Sequence, residues 1–238
     1  PWTAADGKLE ENLRDPEVRP RIVAEMSAPA EGWENWCALS TPSGAMIVGV
    51  SEPGNRELVG KTLAELAEIR RRPWAEAVLD LLVEEGNVGM VYFAMDEENV
   101  RELLRQPWMK FGSDAGVWDP AAATGMTHPR GYGTYARILG RYVRDEGVLP
   151  LEEAVRKMTS AVADRVGLED RGLIRTGYFA DLVVFNPLAI RERATYTEPH
   201  QLSWGVTHLF VNGEAVIRDG AYTDARPGRF LRGSGARR

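Results

Sequence analysis

Asp114 and Arg130 are the residues best suited to chemistry. Asp114 follows an apolar stretch, Trp108–Phe111, and a Gly112-Ser113 pair. If that stretch is a buried parallel strand, its carboxylate sits at the C-terminal end, where βα loops build active sites and a carboxylate can move a proton. The other reading is an aspartate capping the segment that follows. Arg130 lies in His128-Pro129-Arg130, within a loop rich in small residues, and is followed by Gly131-Tyr132-Gly133. A guanidinium is a planar fork that suits a carboxylate, although a loop arginine is equally well solvated. His200 and His208 flank Gly205 without an H-x-H or H-E-x-x-H pattern, and zinc asks for three or four protein ligands. They read as surface or structural histidines. Cys37, between Trp36 and Ala38-Leu39, reads as a packed thiol. Asp181 and Asn212 read as strand-start and turn residues. Met90, Met95 and Met109 read as core or pocket lining, with Met95 at a strand end.

The elements that must position these residues fall into three zones: 1–85, 86–167 and 168–238. The first is polar and broken by prolines. Thr62 and Glu65 form a capping box ahead of Leu63, Leu66, Ala67 and Ile69. Pro73 opens a second helix with Trp74, Ala77, Val78, Leu81 and Leu82 on one face. Ala45–Val50 reads as a strand, so this zone is a small α+β subdomain. The second zone alternates strand and helix. Val88–Met95 and Trp108–Phe111 read as strands buried on both faces. Between them Asp96 caps a helix with Val100, Leu103 and Leu104 inward, and Pro107 ends it. Tyr135, Ile138, Leu139 and Tyr142 keep helical spacing. Pro150 opens a further helix with Leu151, Ala154, Val155 and Met158. Buried strands alternating with helices indicate a parallel α/β sheet or barrel. The third zone is β: Asp181–Phe185, then a hairpin of Val206–Val211 and Glu214–Arg218 around Asn212-Gly213, a pair that accepts a type I′ turn.

Composition bounds the function. The chain has 238 residues, 44% hydrophobic and 27% charged, an ordinary globular balance. A net charge of −6 disfavours a general nucleic-acid binder, which needs a basic face. A single cysteine excludes an internal disulfide framework and a multi-cysteine zinc site. The longest apolar runs fall far short of the roughly 18–20 residues that span a bilayer. No apolar signal region follows Pro1, which points to a cytoplasmic location. The arginine-bearing end, Arg226–Arg238, reads as a solvated tail. Pro1 in place of an initiator methionine hints at a longer protein.

Several stretches resemble N-acyl-D-amino-acid deacylases (D-aminoacylases) of the amidohydrolase superfamily. They are Phe111–Ala115 (FGSDA), His128–Gly133 (HPRGYG), Ile138–Tyr142 (ILGRY) and Leu151–Ser160 (LEEAVRKMTS). Asp170–Ile174 (DRGLI) with Ala180–Phe185 (ADLVVF) is shared by many amidohydrolases; Leu13–Val18 (LRDPEV) and Val91–Met95 (VYFAM) also match. The resemblance implies a (β/α)8 barrel with a small inserted domain and a β-sandwich built from both chain ends. Zone one would be the insert, zone two the last barrel strands, and zone three part of the sandwich. It implies zinc-dependent hydrolysis of a small-molecule N-acyl-D-amino acid. Asp114 would take a proton from water and pass it to the leaving amine, with a weak or second-metal contact. Arg130 would bind the substrate's α-carboxylate, with His128 and Met95 against the substrate.

The family's histidine pair, its metal-bound cysteine and its later barrel histidines have no match here, and Cys37 falls in the insert-like zone. A complete barrel takes roughly 200–250 residues, and zone two supplies only part of one. The expectation is therefore a C-terminal portion that is inactive alone and needs the missing N-terminal half of the same protein. The alternatives are a cyclic-amide hydrolase of hydantoinase or dihydroorotase type, and a non-catalytic scaffold. Trp118, Met126 and the sparse charge of loop Ala115–Thr127 suggest an apolar substrate side chain.

Overall fold

A computed structural model describes residues 8–116, 119–123 and 125–231. Trp118 lies outside the described residues, as does the end of the arginine tail. The chain is α/β and divides into two compact units, 1–95 with 124–127, and 96–123 with 128–238. The expected boundary after Glu85 differs from this division.

The first unit contains α1 (Leu9–Arg14), α2 (Arg19–Met26), α3 (Trp36–Ser40), β1 (Ala45–Gly49), α4 (Leu63–Arg70), α5 (Trp74–Glu85) and β2 (Gly89–Tyr92). The Thr62–Glu65 capping box is complete: Glu65 N–H donates to Thr62 Oγ1, and Thr62 N–H donates to the Glu65 carboxylate. One core joins Ala45 and Ile47 of β1 to Leu63 and Leu66 of α4 and Ala77, Val78 and Leu81 of α5. Arg19 ties α2 to α5, reaching Glu76 at 2.7 Å and Asp80 at 2.6 Å. Cys37 packs at the edge of the first core, and burial pushes its thiol up.

One strand reading needs correction. Val88–Met95 is not a parallel strand buried on both faces. Only Gly89–Tyr92 is extended, and it pairs antiparallel with β1. Phe93 and Met95 are exposed, Met95 at 77%. β1 is the buried member of the pair, with Ala45–Val48 all buried, whereas in β2 only Val91 is.

The second unit contains α6 (Glu97–Arg105), α7 (Arg130–Arg137), a π-helical turn over Ile138–Asp145, α8 (Leu151–Met158) and α9 (Ser160–Val166). A sheet follows: β3 (Leu182–Phe185), β4 (Val206–Val211), β5 (Glu214–Arg218) and β6 (Ala221–Tyr222), antiparallel in that order. Asp96 caps α6 by accepting from the Glu98 and Asn99 amides. Asn212 and Gly213 both take positive φ, 51° and 85°, as the type I′ turn requires. Arg171 donates to Asp181 and Asn212, and Asp181 accepts from the Asn212 amide, so these polar residues fix the hairpin.

Trp108–Phe111 is not a strand. Trp108 is 64% exposed while Phe111 is buried. Carbonyls at its start accept from side chains instead of a ladder, Arg156 reaching Pro107 O at 3.1 Å and Lys110 reaching Trp108 O at 2.9 Å, while Lys157 reaches Leu104 O of α6 at 2.6 Å. Lys157 is fully buried, and burial lowers its pKa. Its ammonium also lies 5.8 Å from the Phe111 ring centre, within cation–π range. Leu103, expected inward, is 41% exposed.

Leu104, Phe111, Ile138, Leu139, Tyr142, Leu149, Ala154 and Ile190 form the core of this unit. Ile190 is held between glycines. A Cβ on Gly140 would stand 2.5 Å from Ile190 O, and one on Gly205 would stand 2.6 Å from Ile190 Cα. Helical Gly→Ala normally stabilises by about 1 kcal/mol. Gly140→Ala is expected to do the reverse, costing about 1–3 kcal/mol by overpacking against backbone. Denaturant titration checks the sign.

Glu146 joins α6 to the π-helical turn, accepting from Arg101 at 2.9 Å and Arg141 at 2.6 Å. These two hydrogen bonds bring its pKa down from 4.5 to about 2. A carboxylate depressed in the folded state contributes stability above its unfolded value, and this is lost as pH falls through the folded one. Glu146→Gln is therefore expected to flatten the acid limb of the stability curve between pH 4.5 and about 2. Carboxyl ¹³C titration of Glu146 reads the midpoint directly.

Candidate active site

Asp114 and Arg130 meet. Arg130 Nη2 lies 3.1 Å from Asp114 Oδ2, and the side chains are 44% and 89% exposed. Asp114 sits at φ 47°, a left-handed conformation that a short polar side chain tolerates better than most. Arg130 is the first residue of α7, so the helix start fixes where its side chain leaves the backbone.

His128 is two residues ahead and acts on the backbone. Its Nδ1 accepts the Arg130 N–H at 3.1 Å, and its Nε2 lies 3.5 Å from the Tyr196 hydroxyl. Burial, followed by the Arg130 charge, pushes the imidazole below its usual 6.5. Tyr132 and His200 make a second pair, with Oη to Nδ1 at 3.1 Å. Sixty-eight residues separate the partners in each pair, so no local spacing reveals them. His208 lies elsewhere, accepting from the Asp219 amide across the β-hairpin. Met95, exposed, closes the first unit and belongs to a different compact body from Asp114.

The donors do not fit a zinc centre. Among the described residues, no group of three His, Cys, Asp or Glu side chains stands close enough to hold a metal ion. His128 and His200 already spend ring nitrogens on the Arg130 amide and the Tyr132 hydroxyl, and Asp114 faces a guanidinium. Three or four ligands are needed, and the described residues do not bring them together. The arrangement can hold an anion at Arg130 and accept a proton at Asp114.

One carboxylate and one arginine thus stand together where the Asp114 segment meets the start of α7. The model of the Amidohydrolase family matches residues 23–217, and the chain belongs to that family. D-aminoacylase of Alcaligenes xylosoxydans xylosoxydans is 40% identical over 175 residues, covering 74% of this chain and 34% of that protein. N-acyl-D-glutamate deacylase of the same organism is 40% identical over 176 residues, again 74% and 34%. The chain thus spans about a third of the length of these curated relatives. A crystal structure of D-aminoacylase superposes with a TM-score of 0.65 at 36% identity, over 76% of this chain and 36% of that one. N-acyl-D-glutamate deacylase from Bordetella bronchiseptica, complexed with zinc and a phosphonate mimic of the tetrahedral intermediate, superposes at 0.67 and 36% identity, over 81% and 38%. No helix among the described residues is long and apolar enough to cross a membrane.

The depressed His128 predicts a measurable pH effect. The unfolded chain binds a proton near 6.5 that the folded chain refuses until lower pH. Stability therefore declines as pH falls below that value. NMR titration should put the His128 midpoint below 6.5, and Arg130→Met should move it upward by removing the neighbouring charge.

Proposed function

We propose that these residues are a C-terminal portion of an N-acyl-D-amino-acid deacylase, hydrolysing a linear amide to a D-amino acid and a carboxylate. One observation carries the reading: Arg130 and Asp114, sixteen positions apart in sequence, lie 3.1 Å apart in space. Arg130 holds the substrate's α-carboxylate with its planar fork. Asp114 takes a proton from the attacking water and returns it to the amine that leaves. His128, beside Arg130, stands on the substrate side. The identity to proteins named D-aminoacylase and N-acyl-D-glutamate deacylase supports this choice.

The same reading assigns residues 1–85 to an inserted subdomain, 86–167 to the last part of a (β/α)8 barrel and 168–238 to part of a β-sandwich. Both faces of β3 expose an apolar side chain, Val183 at 51% and Val184 at 48%, and this supports further layers against that sheet. The zinc named with the Bordetella bronchiseptica relative, and any contact Asp114 makes to it, would depend on ligands from the rest of the protein. Its place is cytoplasmic, and its partner is a small molecule rather than nucleic acid or membrane.

The test uses the protein that carries these residues together with the rest of the family's length. Asp114→Asn is expected to lower kcat by about 10²–10⁴, the range for losing a general acid–base. Arg130→Met is expected to act mainly on KM for N-acetyl-D-leucine, since a hold shared by ground and transition states acts on binding. Wild-type turnover after Asp114→Asn would overturn the assignment. Preferential turnover of a hydantoin would replace the linear substrate with a cyclic one.

A further inference from the structure

Residues 191–204 form a closed loop that runs beside α7. An antiparallel bridge pinches its base: the Arg191 amide donates to Trp204 O at 3.0 Å, and the Trp204 amide donates back to Arg191 O at 2.9 Å. Between these ends the loop reaches the helix repeatedly. Glu192 accepts from Arg137 at 2.9 Å, and Ser203 Oγ donates to Tyr132 O at 2.6 Å. Tyr196 meets His128 edge-on, ring centres 5.1 Å apart at 76°. His200 meets Tyr132 in the same manner, 5.8 Å apart at 82°.

The two ring pairs have opposite order. The helix side presents His128 then Tyr132, the loop presents Tyr196 then His200, and both pairs share one sequence offset. His128 precedes the N-cap Pro129 and Tyr132 lies in the first turn of α7, so the loop grips the chain on either side of Arg130. We propose that this loop is a positioning strap for the Arg130 guanidinium, with Tyr196 and His200 as its positioning residues. The proposal rests on the reading of Arg130 as the substrate-carboxylate holder.

The chain of contacts gives the strap its reach. Because His128 Nδ1 accepts the Arg130 N–H, that nitrogen carries no proton. The ring proton is on Nε2 and points at Tyr196 Oη. The Arg130 amide, an obligate donor, therefore sets the tautomer, and Tyr196 Oη, by accepting the remaining ring proton, holds the imidazole where its Nδ1 meets the first amide of α7. Tyr132 and Ser203 fix the same turn from its other side. Tyr196 and His200 act without touching substrate.

Steady-state kinetics on the protein that carries these residues with the rest of the family's length, using N-acetyl-D-leucine, joined to amide hydrogen exchange of the 128–137 segment, decides it. Tyr196→Phe keeps the ring and removes the hydroxyl. It should raise KM about tenfold, the equivalent of one charge-assisted hydrogen bond set out of line, leave kcat within about threefold, and speed exchange at the Arg130 amide. His128→Asn places its Oδ1 where Nδ1 stood and should keep exchange there slow; His128→Gln should speed it. Unchanged KM and exchange in Tyr196→Phe overturn the strap. If Tyr196→Phe does not fold, equal exchange in the two His128 variants overturns it. If Arg130→Met leaves KM untouched while Tyr196→Phe still speeds exchange at the Arg130 amide, the strap stands and the substrate role of Arg130 falls.

Discussion

The geometry of the candidate site cannot come from the ion pair that marks it. Arg130 and Asp114 are 44% and 89% exposed, and exposed pairs contribute only about 0–1 kcal/mol. Such a pair reports where the Asp114 segment and the start of α7 already are. What it reports is the seating of α7, because Arg130 opens that helix and its amide is pinned by His128 Nδ1 at 3.1 Å. The seating is the constraint on which the second unit depends.

Three kinds of contact impose it. Glycine does so by omission: Gly140 and Gly205 leave room for the Ile190 backbone, where a Cβ would collide at 2.5 and 2.6 Å. Charge does so next. Arg144 donates to Ile190 O at 2.6 Å, and Arg141 shares Glu146 with Arg101 of α6. Burial does the rest, through Tyr142, Leu139 and Ile138 on one face of the π-helical turn. That face is why the helical spacing from Tyr135 onward was legible in the sequence while the widened turn was not. A π turn keeps apolar residues on one side and shifts only which carbonyl each amide finds, as with Glu146 N–H to Arg141 O.

The same division between local and distant causes runs through the rest. The Thr62–Glu65 box, the Asp96 cap and the Asn212-Gly213 turn are decided within four residues, and each is legible in the letters. Strand partners are not local. The apolar run at Val88 fits a doubly buried strand as well as it fits the ribbon it forms with β1, and only the partner decides. Trp108–Phe111 has strand-like composition, yet the carbonyls of Pro107 and Trp108 are taken by Arg156 and Lys110. Asp114 and Arg130 were recognisable as candidates from residue type and resemblance. Tyr196 was not, because a single tyrosine in a polar loop has no periodicity to expose its match with His128.

A weak, exposed pair is also the right starting state for the proposed reaction. A guanidinium carries five N–H donors in a fixed fork. The contact at 3.1 Å involves one terminal nitrogen, Nη2. A substrate carboxylate that approaches along the remaining donors would gain a bidentate hold against a partner worth about 1 kcal/mol at most. Exchange of Asp114 for substrate therefore costs little, and the displaced carboxylate is left next to the bound molecule with a lone pair free to accept a proton. A deeply buried, multiply bonded pair would have fixed both groups more firmly, but it would have withheld both from substrate. In the proposed site, rigidity belongs to α7 and the backbone that seats it, and availability belongs to the two charged side chains.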